Sequence, residues 1–143
     1  MKKLFFAVGV VSVLLLSGCD LESSDNGDLD GFWIMERVDS LSNHSVCDYS
    51  NHPAFWSFQY NLLQLSNVYD NTIIYQFEKD KDRLMLKNPC MFDRTWGDTL
   101  ITDFEVLRPY GINAINESFM VKSLNGGNMV LESSLLRLYL KKH

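Results

Sequence analysis

The chain has 143 residues, of which 13 are Lys or Arg and 18 are Asp or Glu, so its formal net charge at pH 7 is −5. This length predicts one domain with a sizeable hydrophobic core. The acidic balance argues against a nucleic-acid partner, because proteins that bind nucleic acids carry a basic stripe or patch.

The amino-terminal residues 1–18 have the order of a secretory signal peptide. Lys2 and Lys3 precede an uncharged apolar stretch, residues 4–16, and small residues follow it. The stretch is too short to cross a bilayer comfortably, because a spanning helix needs roughly 20 apolar residues. We therefore predict that residues 1–18 are removed.

The sequence Leu16-Ser17-Gly18-Cys19 closes this stretch. It resembles the bacterial lipobox, in which a cysteine is lipidated before the chain is cut in front of it. The resemblance implies a lipoprotein that begins at Cys19 with a diacylglyceryl group and an amide-linked acyl chain such as palmitate, which together give stable anchoring. The alternative is an ordinary signal peptide cut near Gly18, with Cys19 as a free thiol.

Residues 19–30 change character completely, because Ser, Asn and Gly replace the apolar residues. Such a composition is too polar to bury a core, and it predicts a flexible acidic tether that holds the domain on the order of 20 Å from the lipid. Without the two signal lysines and the five tether carboxylates, 11 basic and 13 acidic residues remain for the domain. The tether carboxylates are Asp20, Glu22, Asp25, Asp28 and Asp30.

The resemblance to a lipobox implies a bacterial lipoprotein, and we expect it in the cell envelope of a Gram-negative bacterium. Asp20 resembles a signal that retains lipoproteins in the inner membrane, whereas an acidic tether resembles a surface-export signal. We favour the outer membrane and leave the membrane face open.

From Gly31 onward the apolar residues recur with a period of two, which is typical of strands with one buried face. Trp56, Phe58, Tyr60 and Leu62 alternate with polar residues. The phase then shifts by one residue at Leu63, which predicts a bulge or a sharp bend in the strand.

Two hairpins are predicted further along the chain. The first joins the apolar alternation at residues 73–77 to that at residues 83–87 through the charged sequence EKDKD. The second joins residues 119–121 to residues 129–132 through Asn-Gly-Gly-Asn at 125–128, a strong turn signal, and Leu136, Leu138 and Leu140 continue the meander.

With a first strand at residues 32–38 and a short one near Leu100, the chain holds seven or eight strands. Helix is scarce, because Pro109 and Gly111 limit residues 103–117 to a turn or two. Short antiparallel strands joined by hairpins predict an all-β protein, either an up-and-down barrel or a sandwich.

The triplet Gly31-x-Trp33 opens the first strand directly after the tether. Together with the lipobox, the long first loop and a basic last strand, it resembles the lipocalins and the small lipocalin-like lipoproteins of Gram-negative bacteria. The resemblance implies an up-and-down antiparallel barrel of about eight strands, with little helix, in a domain that spans residues 31–143.

Gly31 would let the backbone pass close to a neighbouring element. Trp33 would fill the closed end of the barrel with a large apolar side chain whose indole N–H needs a partner. The resemblance further implies that an arginine of the last strand, Arg137, lies against Trp33 in a cation–π contact.

Residues 39–53 form a long first loop without a strand pattern, and in lipocalins this connection is a lid over the open end. His44, Cys47, Asp48 and His52 lie in it, but their spacing matches no familiar metal motif, so we expect no metal and no cofactor. Cys47 and Cys90 could form a disulfide after export, and the alternative is two separate thiols.

Catalytic patterns are missing: the sequence holds no G-x-S-x-G motif and no Gly-rich phosphate loop, so we expect no enzyme. Aromatic residues make up 13% of the chain, and they either line a cavity for a small apolar ligand or fill the interior themselves. The first case predicts a ligand-binding protein. The second predicts an interaction module that docks onto an envelope protein.

Overall fold

The computed structural model describes residues 25–68, 72–93, 95 and 97–143. The predicted signal peptide, the lipidation site Cys19 and the first half of the tether lie outside the described residues. The described part of the tether contains a single 3-10 turn, Gly27–Leu29, directly before the first strand. Nowhere in the described residues is a helix long and apolar enough to span a bilayer.

Ten strands form one antiparallel sheet, and eight of them close into a barrel in the order β1-β3-β4-β5-β6-β8-β9-β10, with β10 pairing again with β1. The short strands β2 and β7 pair with β1 and β6 outside this path. The predicted all-β antiparallel barrel is therefore confirmed. The strands are β1 Gly31–Ser40, β2 Val46–Asp48, β3 Ala54–Gln59, β4 Leu62–Asn67, β5 Ile73–Asp80, β6 Arg83–Met91, β7 Thr99–Leu100, β8 Glu117–Leu124, β9 Asn128–Glu132 and β10 Leu136–Lys142.

The phase shift after Tyr60 marks a hairpin, not the bend within one strand that the alternation predicts. Tyr60 lies in a two-residue turn with φ +55°, and Gln59 pairs with Leu62 across it. Residues that face each other across a hairpin point to the same side of the sheet. Phe58 and Leu63 are paired in this way and are both buried, which produces the change of phase.

The two hairpins predicted further along are present. β5 and β6 are joined at Lys81 and Asp82, and β8 and β9 are joined through residues 125–127. The predicted strand near Leu100 is the two-residue β7. The first loop, in contrast, is shorter than predicted, because β1 continues to Ser40 and β2 interrupts the rest by pairing with β1.

The barrel interior is filled by aromatic side chains over much of its length. Trp33, Trp56, Phe58 and Phe119 are buried, and the ring centroids of Trp56 and Phe119 lie 5.8 Å apart. Three strands separate β3 from β8 in either direction around the barrel. The contact between Trp56 and Phe119 therefore spans the interior, and the protein itself occupies the space at this level.

The two ends of the barrel differ. At the closed end, the strands are joined by tight turns at residues 60–61, 81–82 and 125–127, beside the entry of the tether. At the open end, the connections are longer, and they include the segment 41–53 and the excursion 92–116. We call residues 41–53 the lid.

A 3-10 helix, Phe104–Tyr110, returns the long excursion to the open end. The Asp103 side chain accepts a hydrogen bond from the Glu105 N–H at 3.0 Å, and the helix ends at Gly111 in the left-handed conformation. Leu107, Tyr110 and Ile112 are buried, so residues 104–112, which we call the mouth segment, fill part of the barrel opening. The prediction of one or two helical turns before Gly111 is confirmed.

Candidate functional site

The Gly31-x-Trp33 triplet lies at the closed end of the barrel. Trp33 is fully buried, and its indole Nε1–H donates to the backbone oxygen of Leu29 at 2.9 Å. Gly31 has φ +127°, where side chains are rare, and a Cβ atom there would lie 3.3 Å from Lys142 Cε. The tether entry, the first strand and the last strand therefore pack together at this end.

Lys142 takes the place that the sequence assigns to Arg137. Lys142 Nζ lies 4.9 Å from the centroid of the Trp33 ring and donates to the backbone oxygen of Asp28 at 2.8 Å. Arg137 instead forms an ion pair with Glu132, with 2.8 Å between Nη2 and Oε2. The prediction of a contact between Arg137 and Trp33 is wrong.

The position of Arg137 on β10 explains the error. Leu138 and Leu140 are buried, and alternate residues of a strand point to opposite faces. Lys142 shares their parity and points inward, whereas Arg137 points outward. The register also pairs Trp33 with Lys142 and places Arg137 opposite Asp39, towards the open end.

The disulfide between Cys47 and Cys90 is not formed, and both are free thiols. Cys47 lies on β2, which pairs with the same edge of β1 as β3 does, and Cys90 lies on β6. Two strands, β4 and β5, separate these positions on one side of the barrel, and four separate them on the other. A disulfide requires Cα atoms within about 7 Å of each other. The barrel topology therefore keeps the two cysteines apart, and the prediction of a bridge is wrong.

A pocket of about 350 Å³ opens between the lid, the adjacent ends of β3 and β4, and the mouth segment. Ala54 and Asn67, which are paired across β3 and β4, form one wall. The next pair of residues that faces the barrel interior is Trp56 and Leu65, and both side chains are buried below the pocket. The pocket is lined by Cys47, Asp48, Tyr49, His52, Pro53, Ala54, Asn67, Val68 and Pro109.

Backbone hydrogen bonds hold the lid in place beside this pocket. Tyr49 N–H donates to the Glu36 oxygen on β1 at 3.0 Å, and Leu41 N–H donates to the Leu135 oxygen at 2.9 Å. These bonds connect the lid to the barrel wall and to the turn between β9 and β10. The lid wall of the pocket is therefore ordered by the sheet on which it lies.

Asp48 and Tyr49 provide the main polar chemistry of the lid wall. Asp48 Oδ1 accepts a hydrogen bond from the Ser50 N–H at 2.8 Å, and this interaction with Ser50 lowers the pKa of the Asp48 carboxyl. Burial raises the pKa of the Tyr49 hydroxyl. Near neutral pH the pocket therefore contains a carboxylate and a neutral phenol.

The four potential metal ligands of the first loop do not converge. Cys47, Asp48 and His52 line the pocket, whereas His44 lies outside its lining. Among the residues that the structure describes, no group of three or more His, Cys, Asp or Glu side chains is arranged to hold a metal ion.

Large apolar side chains are exposed around the open end of the barrel. They belong to the lid, to the connections between strands and to the mouth segment. Sequence alternation gives no signal for this arrangement, because the residues come from four connections that are distant in the chain. The exposed residues are Val46, Val68, Phe92, Leu100, Val106 and Leu135.

Two other parts of the site could not be predicted from the sequence. The first is the mouth segment. Its residues Leu107 and Tyr110 are buried in the barrel opening, and Pro109 forms one edge of the pocket. The signal available in the sequence was the pair Pro109 and Gly111, which predicted that the helix is short but not where it packs. Lys142 was missed because its contact depends on the strand register.

A closed antiparallel barrel with Gly31-x-Trp33 at a closed end, and a lid and a pocket at the other, defines a protein of the lipocalin-like class. A family described as lipocalin-like domain matches residues 14–143. The chain belongs to this lipocalin-like domain family.

Two solved structures share this fold. The first is a lipocalin-like protein from Bacteroides uniformis ATCC 8492, at 14% identity and a TM-score of 0.64, with 82% of this chain and 100% of that chain covered. The second is an uncharacterized protein from Bacteroides eggerthii DSM 20697, at 14% identity and a TM-score of 0.57, with 80% and 99% covered. A comparison with curated protein sequences gave no match.

Proposed function

We propose that this protein is a non-catalytic, lipid-anchored protein of the cell envelope that binds a small, largely apolar molecule in the pocket under the lid. The observation that carries the proposal is the pocket of about 350 Å³ at the open end. Sites for small molecules are concave, mostly apolar and about 300–1,000 Å³ in volume. The pocket lies at the small end of this range.

The packing of the barrel limits where such a ligand sits. The contact between Trp56 and Phe119 fills the interior below the pocket, so the ligand occupies the mouth of the barrel. Ala54, Val68 and the prolines Pro53 and Pro109 offer it apolar surface. The expected ligand is therefore short, and part of it stays near solvent.

The lipobox at residues 16–19 supports the membrane anchor in this proposal. The tether enters the domain at the closed end, where the turn Gly27–Leu29 precedes β1. The pocket lies at the other end of the barrel. In the anchored protein, the attachment to lipid and the opening of the pocket are thus at opposite ends of the domain.

Displacement of a fluorescent apolar probe tests ligand binding. Val68 lines the pocket and is 59% exposed, so Val68→Asp places a charge in the pocket at little cost in stability, and we expect it to weaken probe binding several-fold. Leu100 is 64% exposed at the same end but does not line the pocket, so Leu100→Asp is the matched control. Equal binding by both variants and the parent would exclude the pocket as the binding site.

A second candidate function is a docking module for another envelope protein. The exposed apolar residues around the open end favour it, because contiguous apolar surface often marks an interaction site. Native mass spectrometry of the protein extracted from its own membrane separates the two functions. A small additional mass that is lost on denaturation supports ligand binding, whereas an additional mass of protein size supports docking.

A further inference from the structure

The pocket is asymmetric in charge. Asp48 is its lining carboxylate, and none of the described residues that line the pocket is Lys or Arg. The hydrogen bond from the Ser50 N–H at 2.8 Å holds the Asp48 side chain in a fixed turn. A ligand in the pocket therefore meets apolar surface, the Asp48 carboxylate and the polar groups of Cys47, His52 and Asn67.

The surroundings of the pocket reinforce this asymmetry. The described connections at the open end carry further carboxylates, Asp93, Asp98, Asp103 and Glu105, all of them on the excursion 92–116. Arg108 is the basic residue described there, and it already forms an ion pair with Glu105 at 3.3 Å. Among the described residues of these connections, carboxylates therefore outnumber Lys and Arg, and such an excess attracts cations and repels anions.

Tyr49 adds a second feature that favours a cation. Its half-buried aromatic side chain lines the pocket directly after Asp48. Aromatic rings attract ammonium groups, and tetraalkylammonium heads are well-known ligands of such rings. A carboxylate and an aromatic ring beside apolar surface are the groups that recognise an alkylammonium ion.

We propose that the pocket under the lid selects amphiphiles with a positively charged head, which lies against Asp48 and Tyr49 while the apolar part contacts Ala54, Val68 and Pro109. This inference rests on the proposed function, because it names the class of ligand for the same pocket. It predicts discrimination between molecules that share one tail and differ in the charge of the head.

The experiment is a calorimetric titration of the mature chain, residues 19–143, with Cys19→Ser to keep it free of lipid. The probes are octyltrimethylammonium, octanol and octanoate at pH 8, which carry positive, zero and negative charge on equal tails. We expect octanol to bind about threefold more weakly than octyltrimethylammonium, and octanoate about threefold more weakly than octanol. A threefold change lies within the range of interaction energies for one exposed charge pair. About 1 M NaCl should reduce the differences by screening.

Asp48→Asn should bring the three affinities to within about twofold of each other, because it removes the charge that distinguishes the three heads. Asp98→Asn is the matched control, because it removes an equal charge at the same end, outside the lining of the pocket. Equal affinities of the parent for all three probes would overturn the charge selection and leave the proposed function intact. No binding of any probe would overturn the proposed function itself, and an equal loss for all three in Asp48→Asn would assign Asp48 a structural role only.

Discussion

Lys142 lies over Trp33 because of the direction in which alternate side chains of β10 point. Residue type alone favours Arg137, since a guanidinium stacks well on an aromatic ring. The alternation of side chains along β10 selects Lys142 instead. Leu138 and Leu140 are buried, and Lys142 lies on the same face of the strand. The lysine also accounts for Gly31, since any side chain there would press against Lys142 Cε.

We expect Lys142→Met to lower the free energy of unfolding by about 1 kcal/mol, because it removes both the cation–π contact and the hydrogen bond to Asp28. Arg137→Met, which removes only a partly exposed ion pair, should cost less, about 0.5 kcal/mol. Urea unfolding followed by tryptophan fluorescence measures both. A larger loss in Arg137→Met would contradict the assignment of Lys142.

At the scale of elements, the mouth segment is the connection that most depends on tertiary contacts. Its 3-10 helix has only seven residues, and short helices are marginal without packing. Leu107, Tyr110 and Ile112 supply that packing inside the opening. Burial also raises the pKa of Tyr110 to about 12, so its hydroxyl remains neutral in the mouth of the barrel at physiological pH.

Gly111 fixes how closely the mouth segment approaches β10. It has φ +77°, and a Cβ atom there would lie 2.6 Å from Leu138 Cδ2. We expect Gly111→Ala to lower the free energy of unfolding by about 2–4 kcal/mol, from left-handed strain together with overpacking. Chemical denaturation of the purified protein checks this.

Gly126 provides the matched control for this substitution. It lies in a turn at the closed end, without a positive φ, and no atom lies within 4 Å of the position of a Cβ. Gly126→Ala should change the free energy of unfolding by less than about 0.5 kcal/mol. Equal effects of the two substitutions would show that the approach of Gly111 to Leu138 is not tight.

At the scale of the whole molecule, closure of the barrel fixes which distant residues meet. β1 pairs with β10, which brings the start and the end of the domain together at Trp33 and Lys142. The same barrel keeps at least two strands, β4 and β5, between β2 and β6, so Cys47 and Cys90 stay apart. It also brings the lid and the mouth segment to one end, where the pocket forms between them.

The separation of the cysteines has a measurable result. Residues 19–143 with Cys19→Ser, obtained from an oxidising compartment, should take up two alkyl groups from iodoacetamide after denaturation without reductant, one each on Cys47 and Cys90. Intact-mass spectrometry counts the groups, and Cys47→Ser should take up one. Addition of reductant should leave the unfolding midpoint of the parent unchanged. A parent that is alkylated only after reduction would contradict the observed separation of the two strands.

The sequence determined the features that depend on neighbours along the chain. Alternation of apolar residues predicts β5 and β6, and Asn-Gly-Gly-Asn at 125–128 predicts the turn before β9. Pro109 and Gly111 predict that the helix between β7 and β8 is short. Gly31-x-Trp33 also indicated the family. These signals are local, because side-chain parity, turn conformation and helix termination act over a few residues.

Only the tertiary structure decided which side chains meet across the barrel. The contact of Lys142 with Trp33, the separation of Cys47 from Cys90 and the place of Asp48 in the pocket all depend on strand register and on barrel closure. A shift of one residue in register exchanges the inner and outer faces of a strand. The physical reason is that closure of the barrel brings together residues that are distant in sequence. A pattern of neighbouring residues does not determine the distance between such residues.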